Sequence, residues 1–338
     1  MNVRIGLAGA GYLTQSALLP ALEGLDGFEV AAVLDPRAHA RELVAEKVPG
    51  ALVTGDEDAF FGVDLDAVHV ATPNHLHAPI ALRALAAGLA VVVDKPLAGT
   101  VADALELHLA AQASTVPLLV GYMSRLNANN EAVRRLVADG AIGVPLAMNA
   151  TFLGHADGNW RNYREYSGLG SAADLGIYPL LTGGDLLGAP ATACQAVAYP
   201  AGDSRLTDIH LDATVWFGDR RLHIESSFTE DPFVGKSRYS VVGTEGVIVA
   251  VETWAMNGGG SVLLCDDQGR RPVTPPLVDP YAEQYRLLAE CMAGKPVPPE
   301  AGSARGLRDV AILHQLDRSA ASGGARLSIP ETEPPWTS

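Results

Sequence analysis

Positive charge is scarce in this 338-residue chain: 24 lysines and arginines stand against 39 acidic residues, a formal net charge of −15. An acidic surface repels phosphate backbones and anionic bilayers, which argues against nucleic acid and membrane as the main partners. Cysteine is rarer still. Cys194, Cys265 and Cys291 are odd in number and far apart, which fits neither a disulfide framework nor a metal knuckle and points to a reducing cytoplasm. No apolar run approaches the ~18 residues that span a bilayer. Residues 7–22 are apolar enough to imitate a signal peptide, but Arg4 is the only early positive charge and Gly and Gln interrupt the run. Aromatics are few, at 6%, yet 48% of the residues are hydrophobic, enough for a sizeable core. The length predicts two domains.

Up to about residue 122, short β-branched runs (3–8, 28–34, 67–71, 90–93, 117–120) alternate with Ala/Leu segments at helical spacing (13–23, 38–47, 76–87, 101–112). That alternation is the mark of βαβ units and a parallel sheet. Nearly continuous hydrophobic runs such as "AVVV" suit strands buried on both faces. Beyond residue 144 the pattern changes. One helical segment, 171–187, is followed by strand-like runs at 191–199, 209–217, 222–228, 239–242 and 247–251, without intervening helices. Helices are expected at 281–293 and 303–319, then a last short run at 326–329. "RRPVTPP" reads as a loop and "PETEPPWTS" as a frayed tail. The expected fold is α/β: a doubly wound parallel sheet over 1–122, then an α+β domain over 123–330 on a large open, mostly antiparallel sheet, its last helices packing back toward the first domain.

Three clusters carry candidate chemistry. In "LAGAGYLTQS", Gly9 and Gly11 fill the first two places of a dinucleotide-binding turn, Thr14 takes the third, and Tyr12 and Leu13 lead into the helix. Glycines there let the chain reverse and let the backbone approach a pyrophosphate. The next strand ends at Asp35, 24 positions after Gly11, where a carboxylate accepts from both ribose hydroxyls and repels a 2′-phosphate. That favours NAD over NADP, although Arg37 could accommodate a phosphate or stack on adenine. Asp35 could equally cap the next helix.

The second cluster, residues 68–98, holds "ATPNHLH" and "DKP" at strand ends, where open α/β sheets bind ligands. Thr72, Asn74 and His77 suit the riboses and nicotinamide of a cofactor, though Pro-Asn pairs also make plain turns. Lys95, pinned by Pro96, falls in a crevice rather than in bulk water. The third cluster, 160–188, contains Asp174 and Tyr178, four positions apart. On an α-helix they share a face, about 40° apart, either as a functional pair or as a satisfied structural one.

Taken in order, "GLAGAGYLTQSALLPAL", "ATPNHLH", "DKP", "GYMSRLN", "WR…GLGSAADLGIY", "SVVGTEGVI" and "AASGGARLSIP" give the chain a resemblance to the glucose–fructose oxidoreductase/inositol dehydrogenase/rhizopine catabolism family, Gfo/Idh/MocA. The resemblance implies a Rossmann domain, an α+β domain whose open sheet commonly forms a homodimer or homotetramer, and hydride transfer on sugars, cyclitols or related polyols. It matches Lys95 to the lysine of a Glu-Lys-Pro motif, with Asp94 in place of the glutamate. Asp174 matches the aspartate of the active-site helix. Tyr178 stands where members carry a catalytic histidine or tyrosine, and Leu181 leans toward the tyrosine type. Arg125 matches a pocket arginine, Trp160 and Arg161 match a pair beside the substrate, and His155 precedes that pair.

The expected function is an NAD(P)-dependent oxidoreductase interconverting a secondary alcohol and a ketone, with NAD the favoured cofactor. Tyr178 moves the hydroxyl proton, Lys95 stabilises the developing oxyanion and eases the tyrosine's proton loss, and Asp174 orients both. The alternatives are a nucleotide-sugar ketoreductase, an NAD-dependent glycosidase using transient oxidation, and a non-catalytic ligand sensor.

Overall fold

The computed structural model describes residues 2–154, 160–229 and 237–329. His155 and the 330–338 tail, both singled out above, lie outside the described residues. The chain divides into two units, residues 1–123 with 281–307, and residues 124–280 with those from 308 on.

The first unit is built on six strands: β1 (Val3–Ala8), β2 (Phe28–Leu34), β3 (Leu52–Thr54), β4 (Ala67–Val70), β5 (Ala90–Asp94) and β6 (Leu118–Gly121). They lie in the order β3-β2-β1-β4-β5-β6, and every pairing is parallel. Every residue of β4 and the first four of β5 are buried, because helices cover both faces of such a sheet. The strand order reverses between β1 and β4, and at such a switch point the carboxyl ends of the strands diverge to leave a ligand crevice. The three-residue β3, at the sheet edge, was too short to read from the sequence.

Two histidines are fully buried in this unit. His69, on β4, has its Nδ1 2.8 Å from the Tyr285 hydroxyl, and His77 opens the His77–Ala86 helix. Burial, before any neighbouring charge, pushes the imidazole pKa down to about 3 for His69 and about 4 for His77, from an ordinary 6.5. Both rings are therefore neutral in the fold, whereas the unfolded chain takes up their protons below pH 6.5. The stability this contributes is fully present above pH 6.5 and is lost as pH falls toward 4, on the order of 3 kcal/mol for His77 alone. The melting temperature should drop steeply between pH 6.5 and 4.5, with a shallower slope in His69→Gln. A flat profile would mean that the rings are charged in the fold.

The second unit is built on β7 (Pro145–Leu153), β8 (Ala191–Tyr199), β9 (His210–Phe217), β10 (Arg220–Ser227), β11 (Ser237–Gly243), β12 (Val247–Val251), β13 (Ser261–Asp266), β14 (Gly269–Val273) and β15 (Leu327–Ser328). They form one nine-stranded sheet in the order β14-β13-β12-β11-β7-β10-β9-β8-β15. Only β7 and β10 pair in parallel. On β9, Leu211, Ala213, Val215 and Phe217 are buried while the alternate residues are half-exposed, the period-two pattern of a sheet covered on one face. The sequence reading is corrected in this unit: the helix Ala128–Ala138 and the strand β13 were not read from it, and two further strands have a physical reason. The central strand β7, "PLAMNATFL", lacks the β-branched density of its neighbours and becomes a strand through its pairing with both β10 and β11. Part of "RRPVTPP" is strand β14, where Pro272 is tolerated because β14 is an edge. Among the described residues, no helix is long and apolar enough to cross a membrane.

Candidate active site

The glycine turn follows β1 directly. Gly9 has φ +104°, and a Cβ there would lie 2.4 Å from the Ala71 carbonyl oxygen, so only glycine allows this turn to pass the end of β4. Beside Gly11 the space is open: its Cβ would meet only an Arg37 nitrogen, at 3.9 Å. That bare backbone is what an approaching pyrophosphate requires. Thr14 explains the missing third glycine. It is fully buried and its hydroxyl donates to the Gly9 carbonyl at 2.5 Å, so it ties the turn instead of thinning the helix. Leu13 is half-buried and Tyr12 is 74% exposed. Thr14–Leu18 is a π-helical turn preceding the Leu19–Glu23 helix.

Asp35 follows β2 and is 3% exposed. Its Oδ2 accepts from the Ala10 N–H at 2.9 Å and from Arg37 Nη2 at 2.8 Å, and its Oδ1 accepts from the Arg37 N–H and Nε, both at 2.9 Å. Burial raises the carboxyl's pKa, but the Arg37 guanidinium and the two backbone N–H groups outweigh it and hold the group below its ordinary value. An ionised carboxylate has about four acceptor directions, and all are taken, two of them by a guanidinium that is itself 65% exposed.

At the ends of β4 and β5 stand Thr72, Asn74 and Lys95. The Thr72 hydroxyl oxygen is buried with no hydrogen-bond partner among the described residues, an acceptor-donor left for a ligand. Asn74 is 5% exposed in a short 3₁₀ turn. Asp94 ends β5, and a Cβ on Gly121 would lie 3.0 Å from its Oδ1, so a glycine at that point of β6 makes room for the acid. Lys95 is half-buried and joined to Pro96 by a cis peptide bond. His77 is 1% exposed and both its ring nitrogens face backbone carbonyls, of Pro96 at 2.8 Å and Thr72 at 3.0 Å. A bare glycine turn, a carboxylate at the end of β2 and an unpartnered hydroxyl at the switch point fit a dinucleotide. Gly9, Gly11, Asp35 and Thr72 are the residues that would hold it.

The second unit gathers its own cluster. The expected α-helix 171–187 is a π-helical turn, Ala172–Gly176, running into the Ile177–Leu186 α-helix. Asp174 therefore lies on a widened turn and Tyr178 on regular helix, rather than one α-turn apart. The start of this segment is anchored by Asp208, which sequence reasoning missed. Its carboxylate accepts from the Gly170 and Ala172 N–H groups, both at 3.1 Å, and from the Ser171 hydroxyl at 2.5 Å. Burial pushes the Asp208 carboxyl pKa up.

Arg161 donates through Nε to Asp174 at 2.9 Å and lies over the Trp160 ring, 4.5 Å from its centroid. Three residues expected at the substrate thus meet. Arg125 donates to Asp185 at 2.8 Å, and Asp185 sits on the same helix as Tyr178. The Tyr178 ring is edge-on to Phe152 at 5.3 Å and 6.3 Å from Trp254, itself stacked on Tyr239. Trp254 Nε1 donates to the Thr182 hydroxyl, which donates to the Tyr178 carbonyl. No sequence signal marked Phe152, Thr182, Asp185 or Trp254, because each acts through a neighbour distant in the chain or one helical turn away.

Comparison with known proteins bears on this arrangement. The model of the oxidoreductase family with the NAD-binding Rossmann fold matches residues 3–122, and the GFO/IDH/MocA C-terminal domain matches residues 130–249. The 1,5-anhydro-D-fructose reductase of Ensifer adhaerens is 26% identical over 95% of this chain and 97% of its own. The dTDP-3,4-didehydro-2,6-dideoxy-alpha-D-glucose 3-reductase of Streptomyces violaceoruber is 30% identical over 80% of this chain and 76% of its own. Among solved structures, the aldose-aldose oxidoreductase of Caulobacter crescentus, complexed with glycerol, shares the fold at TM-score 0.87 and 24% identity, over 97% of this chain and all of its own, 100%. A levoglucosan dehydrogenase in complex with NADH and levoglucosan does so at 0.85 and 20%, over 98% and 100%. With both domain models matched in order, and a nucleotide cradle built on its first two strands, the chain belongs to the Gfo/Idh/MocA family and is an NAD-binding oxidoreductase.

Proposed function

We propose that the enzyme interconverts a secondary alcohol and a ketone on a sugar, cyclitol or sugar derivative. The observation that carries this is the Trp160–Arg161–Asp174 cluster, which offers a hydroxyl-rich molecule a charged hydrogen-bonding pair next to an apolar ring. The names of the relatives, acting on sugars and nucleotide sugars, support it. When bound, the dinucleotide supplies the acceptor or donor for a hydride. The chain supplies the proton chemistry. Tyr178 takes or returns the proton of the reacting hydroxyl, Lys95 stabilises the oxygen's developing negative charge, and Asp174, held by Arg161, orients the substrate. The half-exposed face of the nine-stranded sheet, bearing Asp212, Thr214, Trp216 and His223, is the surface we assign to a second copy, to be read by light scattering as a dimer or tetramer.

The test is an NADH fluorescence titration followed by a panel of polyols, free sugars and nucleotide sugars. Ketone and NADH forming one for one on a polyol or sugar is the expected result. Turnover confined to nucleotide sugars would make the enzyme a ketoreductase of those, a reading favoured by the Streptomyces violaceoruber relative. Release of free sugar without net NADH would indicate a glycosidase, and binding without turnover a sensor.

Cofactor choice follows from the Asp35–Arg37 pair. Two ribose hydroxyls can reach the Asp35 carboxylate only where the Arg37 guanidinium now sits, so NAD must displace it. Arg37→Ala should tighten NADH binding several-fold, about one net hydrogen bond's worth, and weaken NADPH binding, since the 2′-phosphate would then meet an unpaired carboxylate. Asp35→Ser should move the NADP/NAD ratio of kcat/KM upward. Weaker NADH binding in Arg37→Ala would mean that the guanidinium serves the adenine instead.

A further inference from the structure

His77 was expected at the cofactor, but its ring is buried and its two nitrogens face the carbonyls of Pro96 and Thr72. Those carbonyls lie beyond the last paired residues of β4 and β5, Val70 and Asp94, so the sheet ladder offers them no donor. Carbonyls that leave a parallel ladder in a buried place need another partner. A neutral imidazole carries one N–H, and burial first, then the Lys95 charge, keep this ring neutral, with its pKa lowered to about 4. At neutral pH one carbonyl therefore receives the proton. The shorter contact, 2.8 Å from Nδ1, is to Pro96, the residue that follows Lys95.

We propose that His77 is a positioning residue: by donating through Nδ1 to the Pro96 carbonyl it fixes the turn that presents Lys95. The inference rests on the reading in which Lys95 acts on the reacting oxygen. A Cβ on Gly306 would meet Leu97 at 2.8 Å, which shows how closely the far side of the turn is packed, but packing alone does not hold a carbonyl. His69 is the internal contrast, an equally buried histidine whose Nδ1 meets a tyrosine hydroxyl rather than a strand-end carbonyl.

Side-chain amides separate the two contacts. The amide nitrogen of asparagine overlays imidazole Nδ1, and that of glutamine overlays Nε2, so His77→Asn keeps a donor toward Pro96, whereas His77→Gln places one only toward Thr72. In the full-length protein without cofactor, hydrogen exchange over residues 95–100 should be about tenfold faster in His77→Gln, as expected for the loss of one buried hydrogen bond, and restored to within about threefold by His77→Asn. His69→Gln, as the control for burial, should lower stability without changing exchange in that segment. Turnover should fall about tenfold in His77→Gln, recover in His77→Asn, and fall no further when His77→Gln is added to Lys95→Met, because coupled residues do not add. Equal exchange in the asparagine and glutamine variants, or additive losses with Lys95→Met, would overturn the assignment. Near-normal turnover in Lys95→Met alone would instead overturn the role of Lys95, and the exchange comparison would still decide whether His77 holds the turn.

Discussion

Lys95→Met is expected to lower turnover by about 10²-fold or more, the lower end of what a positioned acid–base or electrostatic group contributes, while NADH binding weakens only a few-fold. The reason is position. Lys95 follows the last residue of β5 and is half-buried, at the carboxyl edge of a parallel sheet where ligands bind. Methionine keeps the length and the apolar stem and removes the ammonium group. One side effect is separable. The Lys95 charge helps keep a proton off His77, and its removal lets His77 protonate at a higher pH. Assays at pH 7 and above, well beyond the His77 value of about 4, keep that ring neutral in both proteins. A variant that binds NADH normally and turns over at near the parent rate would remove Lys95 from the chemistry.

Tyr178→Phe should cost more, about 10²–10⁴ in kcat, the usual range for removing a general acid or base. The surroundings make this substitution clean. The ring is held by Phe152 at 5.3 Å and Trp254 at 6.3 Å, and the Thr182 hydroxyl bonds to the Tyr178 backbone, not to its side chain. Phenylalanine keeps the ring contacts to Phe152 and Trp254, so the fall in rate reports on the hydroxyl rather than on the packing of the ring. Tyr178→His should recover part of the activity and move the rise of rate with pH to lower pH, because a free imidazole titrates near ~6.5 and a phenol near ~10. If the phenylalanine variant keeps most of its activity and the same pH dependence, the proton goes elsewhere, and His155 is the next residue to substitute.

The elements that local chemistry decides were legible in the sequence. Strand–helix alternation up to residue 122 implied the parallel sheet, since a buried parallel strand must be hydrophobic on both faces. Gly9 and Asp35 could be placed because a positive φ and a strand-end carboxylate are short-range requirements. Asp174 and Tyr178 were legible as neighbours on one helical segment, but not the π-helical turn that separates them, which arises where Asp208, remote in sequence, takes up the N–H groups at its start. β7 was missed because its residues favour a strand only once β10 and β11 flank it.

What the tertiary structure alone decided is how charges and polar groups are spent. Arg125 and Arg161 each carry a positive charge in the sequence, and only folding shows that Asp185 and Asp174 neutralise them. Asp35 and Arg37 are two residues apart, yet nothing in that spacing says that the guanidinium fills the acceptor directions a ribose would use. His77 reads as a ligand residue in "ATPNHLH" and folds with its ring buried between two strand-end carbonyls. Periodicity reports which face of an element is buried. Which donor meets which acceptor depends on pairings across tens to hundreds of residues and on rotamers, and these exist only once the chain has closed on itself.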